Sequence, residues 1–80
     1  MKEEIVKLSD LKRGEKGVVV HVTGGRGLMR RIAEMGFIPG TEVKVLRGAP
    51  FRGPIEVLVR GVSVALGRGV ASKILVKPVR

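Results

Sequence analysis

Ile55-Glu56-Val57-Leu58-Val59-Arg60-Gly61-Val62-Ser63-Val64-Ala65-Leu66 is the stretch whose reading decides the fold. Two β-rich runs, 55–60 and 62–66, are joined at Gly61, which is placed for a tight reversal between antiparallel strands. Working back, Thr41 to Arg47 reads as another strand, with Val43 and Val45 alternating with Glu42 and Lys44. Gly48-Ala49-Pro50-Phe51-Arg52-Gly53-Pro54 between them is a loop. Working forward, Gly67-Arg68-Gly69 leads into one helical turn at Val70–Lys73. Ile74 to Lys77 then closes the sheet, with Pro78 expected to end it.

The first half repeats the theme around one helix. Ile5-Val6 predicts a short edge strand, and Ser9-Asp10-Leu11-Lys12-Arg13-Gly14 a turn. Ser9 or Asp10 would cap a single helical turn there, and Gly14 would end it. Lys16 to Thr23 is β-rich: Val18, Val20 and Val22 fall on one face, Val19, His21 and Thr23 on the other. Gly24, Gly25 and Gly27 break that strand. Arg26 to Met35 is the one extended helix pattern. Leu28, Ile32 and Met35 follow i, i+4, i+7 spacing, Met29 and Ala33 widen the stripe, and Arg30, Arg31 and Glu34 lie off it. Gly36 suits the left-handed C′ position, and Pro39-Gly40 a type II turn. The expected fold is all-β with one short helix: a small barrel of five or six strands, which removes exposed edges, over residues 1–80 as a single domain.

Composition bounds what such a domain does. A chain of 80 residues that is 44% hydrophobic folds around one small core, and with Phe37 and Phe51 as its only aromatics that core is aliphatic. There is no Cys, so neither a disulfide framework nor a thiolate metal site is available. No apolar run approaches the ~20 residues of a membrane span. Met1-Lys2-Glu3-Glu4 is charged and leads straight into the fold, so no signal peptide is read and a cytoplasmic location is expected. Asn and Gln are absent and 29% of residues are charged, a bias that resembles thermophile proteins. The net charge of +9 would attract nucleic acid or an anionic membrane surface, or serve solubility alone. Its cations are scattered, with Lys12-Arg13 and Arg30-Arg31 the only adjacent pairs, which reads as a solvated surface.

The run Arg30-Arg31-Ile32-Ala33-Glu34-Met35-Gly36-Phe37-Ile38-Pro39-Gly40-Thr41 is distinctive, and so is Arg47-Gly48-Ala49-Pro50-Phe51-Arg52-Gly53-Pro54-Ile55. With Leu8-Ser9-Asp10-Leu11 upstream and Ala65-Leu66 and Ala71-Ser72-Lys73-Ile74 downstream, the chain resembles the FeoA family, accessory proteins of bacterial and archaeal ferrous iron uptake. The resemblance covers nearly the whole chain. It implies an SH3-like barrel with a short helix and a cytoplasmic role supporting the FeoB ferrous iron transporter, a membrane protein with a GTPase domain. Similar domains sit at the C-terminus of iron-dependent repressors, but no helix-turn-helix is attached here. Val70, before Ala71, departs from the acidic residue that relatives often carry.

The chemistry-bearing residues argue against an enzyme. His21 is the only His, it has no nucleophile or acid partner in a recognisable pattern, and it reads as a surface or rim residue. A zinc site needs about four ligands, which one His and scattered Glu supply only across a dimer or crystal contact. Gly67-Arg68-Gly69-Val70-Ala71-Ser72 mimics half a dinucleotide fingerprint without room for a βαβ unit, and Gly24-Gly25-Arg26-Gly27 lacks the Gly-Lys-Ser/Thr ending of a phosphate loop. No catalytic residue, cofactor or metal is assigned.

What remains is binding. Single-strand nucleic-acid binders stack bases on aromatics, which are scarce here, and no basic stripe marks a duplex footprint, so specific nucleic-acid binding ranks second. A metal-sensing domain lacks ligands. The resemblance decides for protein–protein interaction with an FeoB-type transporter, which would hold the chain at the periphery of the inner membrane; a weak homo-oligomer stays open. Candidate partner-binding residues are Met29, Arg30, Met35 and Phe37 from the helix-to-strand segment, and Phe51 and Arg52 from the Pro-rich loop. Each apolar one has a plainer reading: the helix stripe as core, Met35 and Phe37 closing the core at the helix end, Phe51 plugging the barrel.

Overall fold

A computed structural model describes residues 4–48 and 53–79. Six strands form one antiparallel sheet: β1 (Val6–Lys7), β2 (Lys16–Val22), β3 (Glu42–Arg47), β4 (Ile55–Val59), β5 (Val62–Leu66) and β6 (Ile74–Val79). Their order is β1-β6-β2-β3-β4-β5. Helix α1 (Arg26–Glu34) joins β2 to β3, and the one-turn α2 (Arg68–Ala71) joins β5 to β6. Six strands and a single sizeable helix fall within the expected five or six strands around one short helix. The ladder of hydrogen bonds does not close among the described residues, so β1 and β5 remain its edges and the fold is a barrel-like curled sheet.

Strands β3 and β4 follow their sequence alternation. Val43 and Val45 from β3 and Ile55, Val57 and Val59 from β4 are buried, and the residues between them face outward or are half-covered. Val43 pairs with Val59 and Val45 with Val57, so both strands present one apolar face to the same core. The β4–β5 reversal is a two-residue turn closed by the Val59–Val62 pair. Arg60 (φ 52°) and Gly61 (φ 78°) both adopt positive φ, as a type I′ hairpin demands. Leu66, Ile74, Val76, Val19, Val22, Leu8, Leu11, Ile32, Phe37 and Ala71 complete the core, and among the described residues no polar side chain is buried with them.

Three details correct the sequence reading. In β2 the buried residues are Gly17, Val19 and Val22, while Val18 is half-buried and Val20 exposed, so the expected Val18/Val20/Val22 stripe does not exist. Val19 pairs with Val76 but His21 with Leu75, which leaves Val20 as an extra residue. This β-bulge switches the inward parity of the strand midway. Strand β6 continues through Pro78, opposite Gly17. Pro78 lies beyond Val76, the last β6 residue paired to β1, where the open edge tolerates a missing donor. The early turn is a 3₁₀ turn at Leu8–Asp10 with no side-chain cap; it is anchored by fully buried Leu8, not by Ser9 or Asp10.

Candidate functional site

Helix α1 is held to the barrel lightly. Of its nine residues only Ile32 is fully buried, and Leu28 packs half-covered against the core. The expected apolar stripe is therefore narrower than its sequence pattern. At about 100° per residue, Met29 and Met35 lie about 60° to either side of Ile32, and Arg30 points almost directly away from it. Met29 (37% exposed) and Met35 (38%) thus form the two rims of the buried face, with Arg30 on the open face between them. Arg26 and Arg31 are exposed on the same helix, which leaves it basic outside and apolar at its margins.

The helix ends in a Schellman motif. Gly36 (φ 106°) donates its N–H to the Ala33 carbonyl at 2.9 Å, and Phe37 donates to the Ile32 carbonyl at 3.2 Å. In this motif the residue after the glycine turns back onto the helix's last turn, and Phe37 and Ile32 are both fully buried in the core. Phe37 is therefore not an exposed anchor. It leaves the candidate surface and closes the core at the helix end, because the cap geometry aims its ring inward. A Cβ on Gly36 would stand 3.1 Å from Arg60 Cδ and 3.4 Å from Val59 Cγ2, so the helix end is seated against the β4–β5 turn.

Two exposed apolar residues beside this site escaped the sequence reading. Ile38 (42% exposed) opens the turn in which the Thr41 N–H donates to the Ile38 carbonyl at 3.0 Å. The same turn is tied to β2, where the Gly40 N–H donates to the Val19 carbonyl at 2.8 Å, next to exposed Val20. Ile38 was readable, since a residue between a buried C″ position and a Pro-Gly turn has little left to pack on. Val20 was not, because only the bulge turns it outward. The structure brings Met29, Arg30 and Met35 together on α1 and its C-cap residue; Phe51 and Arg52 lie outside the described residues.

No group of three or more His, Asp or Glu side chains converges among the described residues, and His21 is exposed on β2. Among the described residues no helix is long and apolar enough to cross a membrane. The outer side of α1 offers contact area and positive charge.

Comparison with known proteins assigns the family: the FeoA domain model matches residues 6–78. The chain belongs to the FeoA domain family. A Methanocaldococcus jannaschii relative, provisionally named Fe(2+) transport protein A, is 37% identical over 70 residues, covering 88% of this chain and 83% of that one. An Fe(2+) transport protein A/Fe(2+) transporter FeoB fusion protein of Porphyromonas gingivalis is 38% identical over 72 residues. That match covers 90% of this chain but spans only 8% of the fusion. Among solved structures, an iron uptake regulatory protein (FeoA) superposes with a TM-score of 0.89 at 37% identity, covering 95% of this chain and all of the other. FeoA of Stenotrophomonas maltophilia, solved with zinc and described as a prokaryotic SH3 domain protein, superposes with a TM-score of 0.80 at 29% identity over 90% of this chain and 89% of its own. The curled sheet is thus an SH3-like FeoA fold.

Proposed function

We propose that this FeoA domain is an accessory protein of ferrous iron uptake that works by docking on the cytoplasmic part of an FeoB-type transporter. The observation that carries this is the Porphyromonas gingivalis relative, in which a domain 38% identical to this chain is continuous with an Fe(2+) transporter FeoB. Fusion in one chain keeps two parts at high effective concentration, which is useful when they must meet. The docking surface is the outer side of α1: Met29 and Met35 supply adaptable apolar contact at the rims, and Arg30 supplies charge between them. Phe51 and Arg52 extend the set on the strength of their loop sequence. Methionine at a half-exposed rim suits an interface because it repacks without strain.

The test is co-purification of the chain with the cytoplasmic domain of FeoB, with and without guanine nucleotide, for the native protein and for Met29→Gln, Met35→Gln and Arg30→Glu. Capture by the native protein that is lost in these variants, with melting temperature unchanged, supports the reading. Native capture that all three variants retain moves the interface off α1. Failure of the native protein to bind in either nucleotide state overturns the role.

A further inference from the structure

Among the described residues, strand β5 is an edge with no strand on its outer side and without the usual safeguards. Natural sheets protect an edge with charges, proline, a bulge or a covering element. From Gly61 to Gly67 the sequence Gly-Val-Ser-Val-Ala-Leu-Gly contains no charge and no proline, and its pairing with β4 runs without a register shift. The two-residue hairpin fixes which backbone groups are free. Val59–Val62 closes the turn and is a hydrogen-bonded pair, so Val57–Val64 and Ile55–Leu66 are too, and Ser63 and Ala65 point their N–H and C=O groups away from β4. No partner takes those groups among the described residues, and both residues are exposed.

The side chains tell the same story. Val62, Val64 and Leu66 share the core-side face with Val59, Val57 and Ile55. Cover fades along that face: Leu66 is buried, Val64 is half-buried, and Val62 is 59% exposed although it pairs with fully buried Val59. One more strand alongside β5 would cover Val62 and Val64 and satisfy the free backbone groups together.

Charge selects the occupant. Arg60 sits in the turn before the strand and Arg68 opens α2 after it, so two copies pairing antiparallel about Val64 would bring Arg60 of one towards Arg68 of the other at both ends, on chains that each carry +9. Like charges gathered at both ends disfavour that pair. The acid nearest the strand, Glu56 opposite Ala65, is already beside Arg47 at 3.8 Å. We infer that β5 is a β-augmentation site for an extended partner segment with apolar residues at alternate positions and acidic residues at its ends, added antiparallel or parallel along the edge. This surface is separate from the α1 face and stands or falls independently of it.

The probe is a synthetic peptide of alternating Val and Thr closed at each end by a pair of Glu, compared with a Lys-ended counterpart. Amide exchange of Ser63 and Ala65 in the full chain is followed by NMR. The Glu-ended peptide should slow exchange at both amides by about tenfold or more at saturation, as a newly paired strand does. Ala65→Pro removes an outward donor and leaves the β4 ladder intact, so it should abolish binding while the fold persists. Ser63→Glu keeps every backbone donor and should weaken the Glu-ended peptide by about tenfold, equivalent to about 1.4 kcal/mol. Equal protection by the Lys-ended peptide overturns the charge assignment. Protection that grows with protein concentration alone, together with a dimer in sedimentation, means a second copy is the occupant and overturns the partner. No protection by either peptide overturns the site.

Discussion

Strand β4 and helix α1 divide the labour of this small domain. In five residues β4 buries Ile55, Val57 and Val59 completely, paired on both sides, whereas α1 buries only Ile32 from nine. The strand's side chains are committed to the core, and the helix keeps most of its side chains for solvent or a partner. A domain this small has little stability to spare, so the segment that holds the fold and the segment that meets a partner are best kept apart. Phe37 marks the boundary: it belongs to the helix by sequence and to the core by packing.

The sharpest way to break that contrast is to hollow the boundary. Phe37→Ala should cost about 3–5 kcal/mol, a large part of the stability of a domain of this size, read as a lower midpoint in urea or heat. A loss below about 1 kcal/mol would return Phe37 to the surface set. Gly36→Ala comes next. It forces a side chain into positive φ, at about 1–2 kcal/mol, and presses a Cβ on the Arg60 stem 3.1 Å away. The loss should show in thermal melting, and Gly36→Asn, which tolerates that backbone, should recover part of it.

Smaller effects fall on the helix itself. Met29→Gln and Met35→Gln should each change stability by no more than about 0.5 kcal/mol. A change several times larger in either would make that methionine a core residue and collapse the distinction drawn above. The mildest expectation concerns charge. With its cations spread over the surface, the protein should bind nucleic acid weakly and without sequence preference, and raising salt from low to above physiological levels should abolish binding in a mobility-shift assay. Tight, sequence-selective binding at high salt would favour a nucleic-acid role over a transporter partner.

Much of the molecule was legible in the chain because the relevant forces are local. The alternation in 42–47 and 55–66 marked β3, β4 and β5, since a strand's two faces differ by one residue. Gly61 marked the hairpin, and Gly36 the helix end, since positive φ is a cost carried by single residues; that Arg60 leaves the strand and joins the turn was not read. The burial of Phe37, set among the partner-binding candidates with the core as its plainer reading, is explained by the position after a C′ glycine. The helix stripe was overestimated for a different reason: periodicity records which side chains could be buried together, and only the barrel's size decides how many are. Beneath a nine-residue helix the core admits Ile32, part of Leu28 and no more.

Tertiary structure alone decided the rest. Nothing in Val18-Val19-Val20-His21-Val22 says which valine faces inward, because alternation is symmetric among equals. The register against β6 chooses, with Val19 on Val76 and His21 on Leu75, and the bulge it creates at Val20 buries Val22 and exposes Val20. The open edge of β5 is likewise invisible in the chain. Its pattern is that of any half-buried strand, and only the order of the sheet, with β5 last and paired on the β4 side alone among the described residues, makes the backbone of Ser63 and Ala65 a surface. Local chemistry sets where strands, turns and helix ends fall; which faces they show depends on what lies beside them, and that is a property of the assembled sheet.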